Sequence, residues 1–303
     1  MILMRLWRWW RQRRPAGSAL AISVPAVALP RARARPAGPS PASRGPLAVL
    51  LHEASYDVRV SFRNPRARFF TFFFPILLLV VFNGVFGSGH TDVAGTHVQL
   101  KVFYVAGILA MSVVTASYAS LVITITTLRE SGVLKRRRAT PVPAWVLIAG
   151  LALSTVVITL TMSALLLLVA KIFYGIGMAG GALLAIACTV IVGTITFACI
   201  AYAVSGLVTN ADAAQPLVQA TMFPLWFISG VFIPDENLSP TLKHIAQLFP
   251  VQHLANSLHL ASVHSSFSSS ISGTDMLVLA AWALGAAAIA AWRFSWLPSA
   301  ARG

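Results

Sequence analysis

The chain runs to 303 residues, of which 57% are hydrophobic and only 10% charged, and it carries a net charge of +15. A water-soluble domain holds about 25% charged residues, so this composition excludes an ordinary soluble enzyme or binding module. The positive charge is no nucleic-acid footprint either. Thirteen of the 23 lysines and arginines lie at Arg68 or before, five fall between Arg129 and Arg138, and two follow at Arg293 and Arg302. Membrane topology clusters charge in that way; a nucleic-acid-binding domain gathers it on one compact surface.

Taken in chain order, residues 1–46 come first. Met1 to Gly45 hold nine arginines and no acid, and residues 1–46 read as a disordered basic cytoplasmic tail. Ala16 to Leu29 is too short to span a membrane and is broken by Pro25. Leu47 to Arg63 then predicts an amphipathic helix. Leu47, Leu50, Leu51, Ala54, Val58 and Phe62 recur at helical spacing, Pro46 precedes the run and Asn64-Pro65 stops it. Such a helix lies in the inner interface of a membrane rather than across it.

Six apolar segments follow, each close to the length a membrane crossing needs. They are Phe69 to Phe86, Phe103 to Leu128, Trp145 to Ile172, Ala182 to Val208, Ala214 to Ile233 and Met276 to Trp292. Residues 47–303 are therefore expected to form one all-α polytopic domain. The basic clusters put both the N- and C-termini in the cytoplasm, in a cell (plasma) membrane. Gly87 to Val102 reads as a short polar outer loop. Pro234 to Asp275 is long and semi-apolar. Within it, Leu238 to Leu248 and Val251 to Leu260 predict two short helices that rest on or dip into the outer leaflet, an outer re-entrant segment between spans 5 and 6.

Several chemistries have no residues to carry them. There is no G-x-x-x-x-G-K-[ST] loop, so the chain has no P-loop ATPase site of its own. No H-E-x-x-H or G-x-S-x-G occurs, and no catalytic residue or metal site is expected. His253, His259 and His264 share the outer loop without a carboxylate or cysteine at ligand spacing, and read as solvated or interfacial side chains. Cys188 and Cys199 stand eleven apart on one span, roughly 16 Å at 1.5 Å per residue, too far for a disulfide. No acid sits at mid-depth in a span: Glu130, Asp212 and Asp275 all fall near ends, which counts against an ion-coupled carrier.

The densest charge outside the tail runs from Arg129 through Glu130, Ser131, Gly132, Val133, Leu134 and Lys135 to Arg138, then Ala139, Thr140 and Pro141. Gly132 permits a tight turn, Pro141 and Pro143 restrict the chain before the third span, and Leu134 offers an apolar anchor. On physics alone this is equally an ordinary basic loop that fixes topology. The sequence Arg129 to Arg136, with Arg138 to Pro141, resembles the coupling segment of type-2 ABC exporter permeases, especially daunorubicin-resistance-type drug permeases. Arg63-Asn64-Pro65-Arg66 resembles the end of that family's interface helix. Phe223 to Pro234, with Phe249-Pro250 and His253-Leu254, resembles its fifth span and outer segment.

That resemblance, over about Leu47 to Trp292, implies a permease subunit moving hydrophobic drug-like or lipid-like cargo outward. It implies a separate ATP-binding subunit, which holds the ATP and Mg, and a second permease copy, the same chain or a sibling. Coupling to the ATPase would fall on Arg129, Glu130, Gly132, Leu134, Arg138, Thr140 and Pro141, with Arg63 and Asn64 on the interface helix. An amphiphilic cargo would suit Thr115 on the second span and Gln215, Gln219, Met222 and Trp226 on the fifth, although the same residues serve equally as polar contacts between helices. A permease for a lipid-linked glycan and an ion-coupled carrier are the alternatives.

Overall fold

The computed structural model describes residues 45–65, 69–93, 95–138, 144–208 and 210–293. The basic tail, Thr140 and Pro141 lie outside these residues, as do the side chains of Lys135, Arg137 and Arg138.

Helix α1 (Pro46–Arg63) has Pro46 in its first turn, where the missing N–H costs nothing, and ends at Asn64 in extended backbone. Span α2 (Phe69–Phe86) opens with a π-helical turn, Phe69–Phe73. The loop expected after it is instead a two-stranded hairpin. Strand β1 (His90–Val93) pairs antiparallel with β2 (Thr96–Gln99), with Val93 opposite Thr96. The long second span, α3 (Leu100–Glu130), carries a π-helical turn at Thr115–Ala119. The short α4 (Val133–Arg138) follows, then α5 (Ala144–Tyr174) and α6 (Gly180–Ser205). Helix α7 (Ala211–Ile228) leads through a 3-10 turn (Asp235–Asn237) to α8 (Pro240–Ala246), α9 (Pro250–Val263) and α10 (Gly273–Arg293).

Among the described residues, five helices are long and apolar enough to cross a membrane: α2, α3, α5, α6 and α10. The segment expected as the fifth of six spans forms α7, but Asp212, Gln215, Gln219, Pro216 and Pro224 leave it less apolar than those five. It also stops at Ile228, five residues short of the expected end, because Gly230 takes a positive φ of 68° just beyond it.

The bundle is built around α3. Its most apolar window is 72% buried, against 17% for α2 and α10, so those two lie at the periphery. Their outer faces are apolar, with Val80, Val81, Leu277 and Leu284 exposed. Lipid tolerates such a surface and water does not. A Cβ at Gly107 of α3 would stand 2.1 Å from the Val231 carbonyl oxygen. Glycine there lets the chain leaving α7 cross the central helix at backbone contact.

Helix α9 departs from expectation most. It does not rest on a surface. Val251, Leu254, Ala255, Leu258 and Ala261 are buried, and the helix packs against α3, α6 and α10. Protein surrounds a helix too short to span, the condition for irregular backbone to sit beside lipid.

Candidate coupling surface

At the end of the bundle away from the hairpin, two elements face outward from the spans: α1, and the turn between α3 and α4. Helix α1 lies against the start of α5. Gly150 of α5 makes the approach possible, since a Cβ there would be 3.2 Å from Glu53 Cβ and 3.8 Å from the Ala54 backbone nitrogen. Ala54 is the buried residue of α1; Leu50, Glu53, Asp57 and Val58 flank it, half-buried. The helix therefore turns two acids toward the bundle and leaves Leu47, Leu51, Tyr56 and Phe62 exposed. That corrects the simple picture in which all the leucines face one way. Phe62 packs against Phe72 with ring centroids 5.1 Å apart and ties the end of α1 to α2. Arg63 and Asn64 are exposed there.

The turn is closed by Gly132, whose φ of 69° lies in the left-handed region. Its N–H donates to Arg129 O at 3.1 Å, and its carbonyl accepts from Arg136 N–H at 3.1 Å. A residue with a Cβ pays about 1–2 kcal/mol in that conformation. Glu130, Ser131 and Arg136 are exposed, and Arg136 donates to Ser131 O at 3.3 Å.

Two members of the expected coupling set turn inward. Leu134 is buried and holds α4 against the core. Arg129 is only 1% exposed. Its Nη1 donates to Ser205 O at 2.7 Å and its Nη2 to Val208 O. The last carbonyls of a helix lack partners within it and carry the negative end of its dipole. A guanidinium fork supplies two donors and a positive charge to them together. Arg129 is thus not a surface contact. It clamps the turn after α3 to the end of α6.

The two elements meet through one further bond. Tyr202, one turn before Ser205, donates from its hydroxyl to Ile148 O of α5 at 2.9 Å. Ile148 lies next to the stretch of α5 on which α1 rests. A continuous path therefore joins α1, α5, α6 and the turn after α3.

The residues expected along a cargo route are not brought together. Thr115 is half-buried and donates to its own helix at Met111 O, 2.8 Å away. Ser112 and Thr126 likewise return their hydroxyls to Ile108 O and Val122 O. Met222 is buried in the core and Trp226 packs against it, while Gln215 and Gln219 are exposed. The bond that links α3 to α7 runs instead between Tyr118 and Thr221, at 3.2 Å.

The histidines also differ from expectation. His259 is buried, stacks on Phe103 at 4.4 Å and donates from Nε2 to Gly230 O at 2.9 Å. His253 is held between Asp275 Oδ1, 2.6 Å from Nδ1, and Gln247 O, 2.9 Å from Nε2. Among the described residues no three His, Cys, Asp or Glu side chains converge as a metal site. Cys188 and Cys199 are free thiols.

A family profile described as ABC-2 type transporter matches residues 54–261. The match begins inside α1, takes in the turn after α3 and ends inside α9. No curated protein matches the chain.

Proposed function

The chain belongs to the ABC-2 type transporter family, and on that premise we propose that it carries hydrophobic, drug-like or lipid-like cargo outward, powered by a separate ATP-binding subunit. The permease role follows from the family; cargo, direction and partner are our reading. The observation that carries it is the Arg129 clamp. A partner pressing on the exposed Glu130–Ser131 turn pushes on a rigid element, because Arg129 bonds that turn to the end of α6. Through Tyr202 and Ile148 the same push reaches α5 and α1.

In this reading the turn and α1 lie in the cytoplasm, the hairpin lies outside, and α7 crosses as a sixth span. Eighteen residues of helix measure about 27 Å, close to the hydrocarbon thickness of about 30 Å. Exposed Gln215 and Gln219 on such a span are costly in lipid and favour a second permease copy against α7. Helix α9 then enters the outer leaflet under cover of α3, α6 and α10.

The test is Glu130→Arg in the pump reconstituted with its ATPase subunit. The variant is expected to reach the membrane in wild-type amount and to bind cargo, while cargo no longer stimulates ATP hydrolysis. Wild-type stimulation in the variant rejects the coupling assignment.

A further inference from the structure

At the hairpin end a cavity of about 310 Å³ opens between β1, the start of α3, the segment following α7, α9 and the first turn of α10. That volume falls within the range of about 300–1,000 Å³ typical of small-molecule sites. Its chemistry is unusual for this chain. Only eight acids occur in 303 residues, yet Asp92, Asp235 and Asp275 all line this one cavity. Among the described residues, no lysine or arginine lines it.

A second observation points to a ligand. His259 lines the cavity and is 6% exposed. Its Nε2 proton is committed to Gly230 O, so Nδ1 is a bare acceptor, and among the described residues Nδ1 has no hydrogen-bond partner. Burial lowers the proton affinity of this ring, outweighing the Gly230 carbonyl and the Asp235 charge, which raise it. Nearby Gln252 spends its amide N–H groups on Asp235 and Asn256, and its buried Oε1 has no partner among the described residues. A buried acceptor without a donor is costly, so this region calls for hydrogen-bond donors from outside the chain.

We propose that this cavity binds the protonated amine of a small organic cation, with Asp92 and Asp235 supplying charge, His259 Nδ1 a neutral acceptor and Phe103 an aromatic wall. Asp92 and Asp275 each also hold a histidine, His97 at 2.8 Å and His253 at 2.6 Å, so Asp235 carries the larger share of the charge. A metal ion fits poorly, since no three ligating side chains converge among the described residues. An ammonium group on an apolar body matches the mixture: N–H donors and positive charge for the acceptors, and a hydrophobic body for Phe103 and Leu260. The site's place on the outer face rests on the topology proposed above; the binding itself does not.

The test is equilibrium binding of tritiated phenethylamine to the full chain in phosphatidylcholine nanodiscs, without the ATPase subunit. Saturable binding is expected, displaced by unlabelled phenethylamine and not by neutral 2-phenylethanol. Asp92→Asn is the safest variant, because that side chain is 61% exposed on the hairpin; Asp235→Asn is the second. Each is expected to weaken binding about tenfold, the loss of one charge-assisted contact. Absent binding, equal displacement by the alcohol, or unchanged affinity in both folded variants overturns the proposal. None of these results touches the coupling assignment, which Glu130→Arg tests separately. In the reconstituted pump, slower phenethylamine efflux by the same variants identifies the amine as departing cargo; unchanged efflux identifies a ligand arriving from outside.

Discussion

Replacing Arg129 with methionine keeps the apolar stem and removes the fork. Two carbonyls, Ser205 O and Val208 O, then lose a charged donor. A hydrogen bond to a charged group is worth about 1.5–3 kcal/mol. The variant also escapes the cost of keeping a charge out of water, so the lower end applies twice, about 3 kcal/mol. That corresponds to roughly a 100-fold shift in the opening equilibrium. The loss is local, because the clamp joins one turn to one helix end. Hydrogen exchange read by mass spectrometry on the chain in nanodiscs should show protection falling by about that factor in peptides covering 129–138 and 202–208. Peptides from α10 should be unchanged. Arg129→Lys keeps the charge but not the fork, and should recover part of the protection. Wild-type protection at both ends of the clamp in Arg129→Met would refute the reasoning.

Gly107→Ala should lower the melting temperature of the purified chain, because a Cβ there meets Val231 O at 2.1 Å and one backbone must move, costing about 1–3 kcal/mol. Gly84→Ala on α2 meets nothing within 4 Å and should raise it, by about 0.5–1 kcal/mol of stability; a thermal-shift scan of the pair that gives one sign for both would contradict the packing described here. His259 gives a pH dependence. Burial is the largest influence and holds its proton affinity below the ordinary value of 6.5. The unfolded chain then binds the proton that the folded chain refuses. Stability is complete above pH 6.5 and declines below it, by up to about 1.4 kcal/mol per pH unit. Denaturation of His259→Gln across the same range should show a shallower acid slope than the parent, and parallel slopes would remove His259 as the cause.

The sequence carried the helices well. Apolar runs of membrane length have one outcome in lipid, because every backbone group must be bonded within the segment. The bounds of α1, α2 and α5 therefore fall within three residues of those expected. Short elements carried no such signal. The hairpin has four residues per strand, too few for alternation to stand out from a polar loop, and Thr91 ties it by a bond of 2.5 Å to Glu236, 145 residues away. Helix α9 was legible as a helix but not as a buried one, since its polar Gln252, Ser257 and His259 mimic a surface pattern. Arg129 misled for a related reason. Beside Glu130 and Lys135 it belongs to a charged run, and nothing local reveals that two carbonyls at and just beyond the end of another helix await it. Spacing alone could not mark out a cargo face, because hydroxyls such as Thr115 bond back to their own helix, which spacing cannot separate from an open polar face.

The π-helical turn at Thr115–Ala119 sits midway along the central helix, between the cavity wall at Phe103 and the clamp at Arg129. A π-turn accommodates one more residue than the α-helical ladder would. Were the same residues wound as an unbroken α-helix, everything downstream would swing by about 100° and move out by about 1.5 Å. Arg129 would then point away from both of its carbonyls while Phe103 stayed in place. The angular phase between the two ends of this protein is thus set by a single surplus residue.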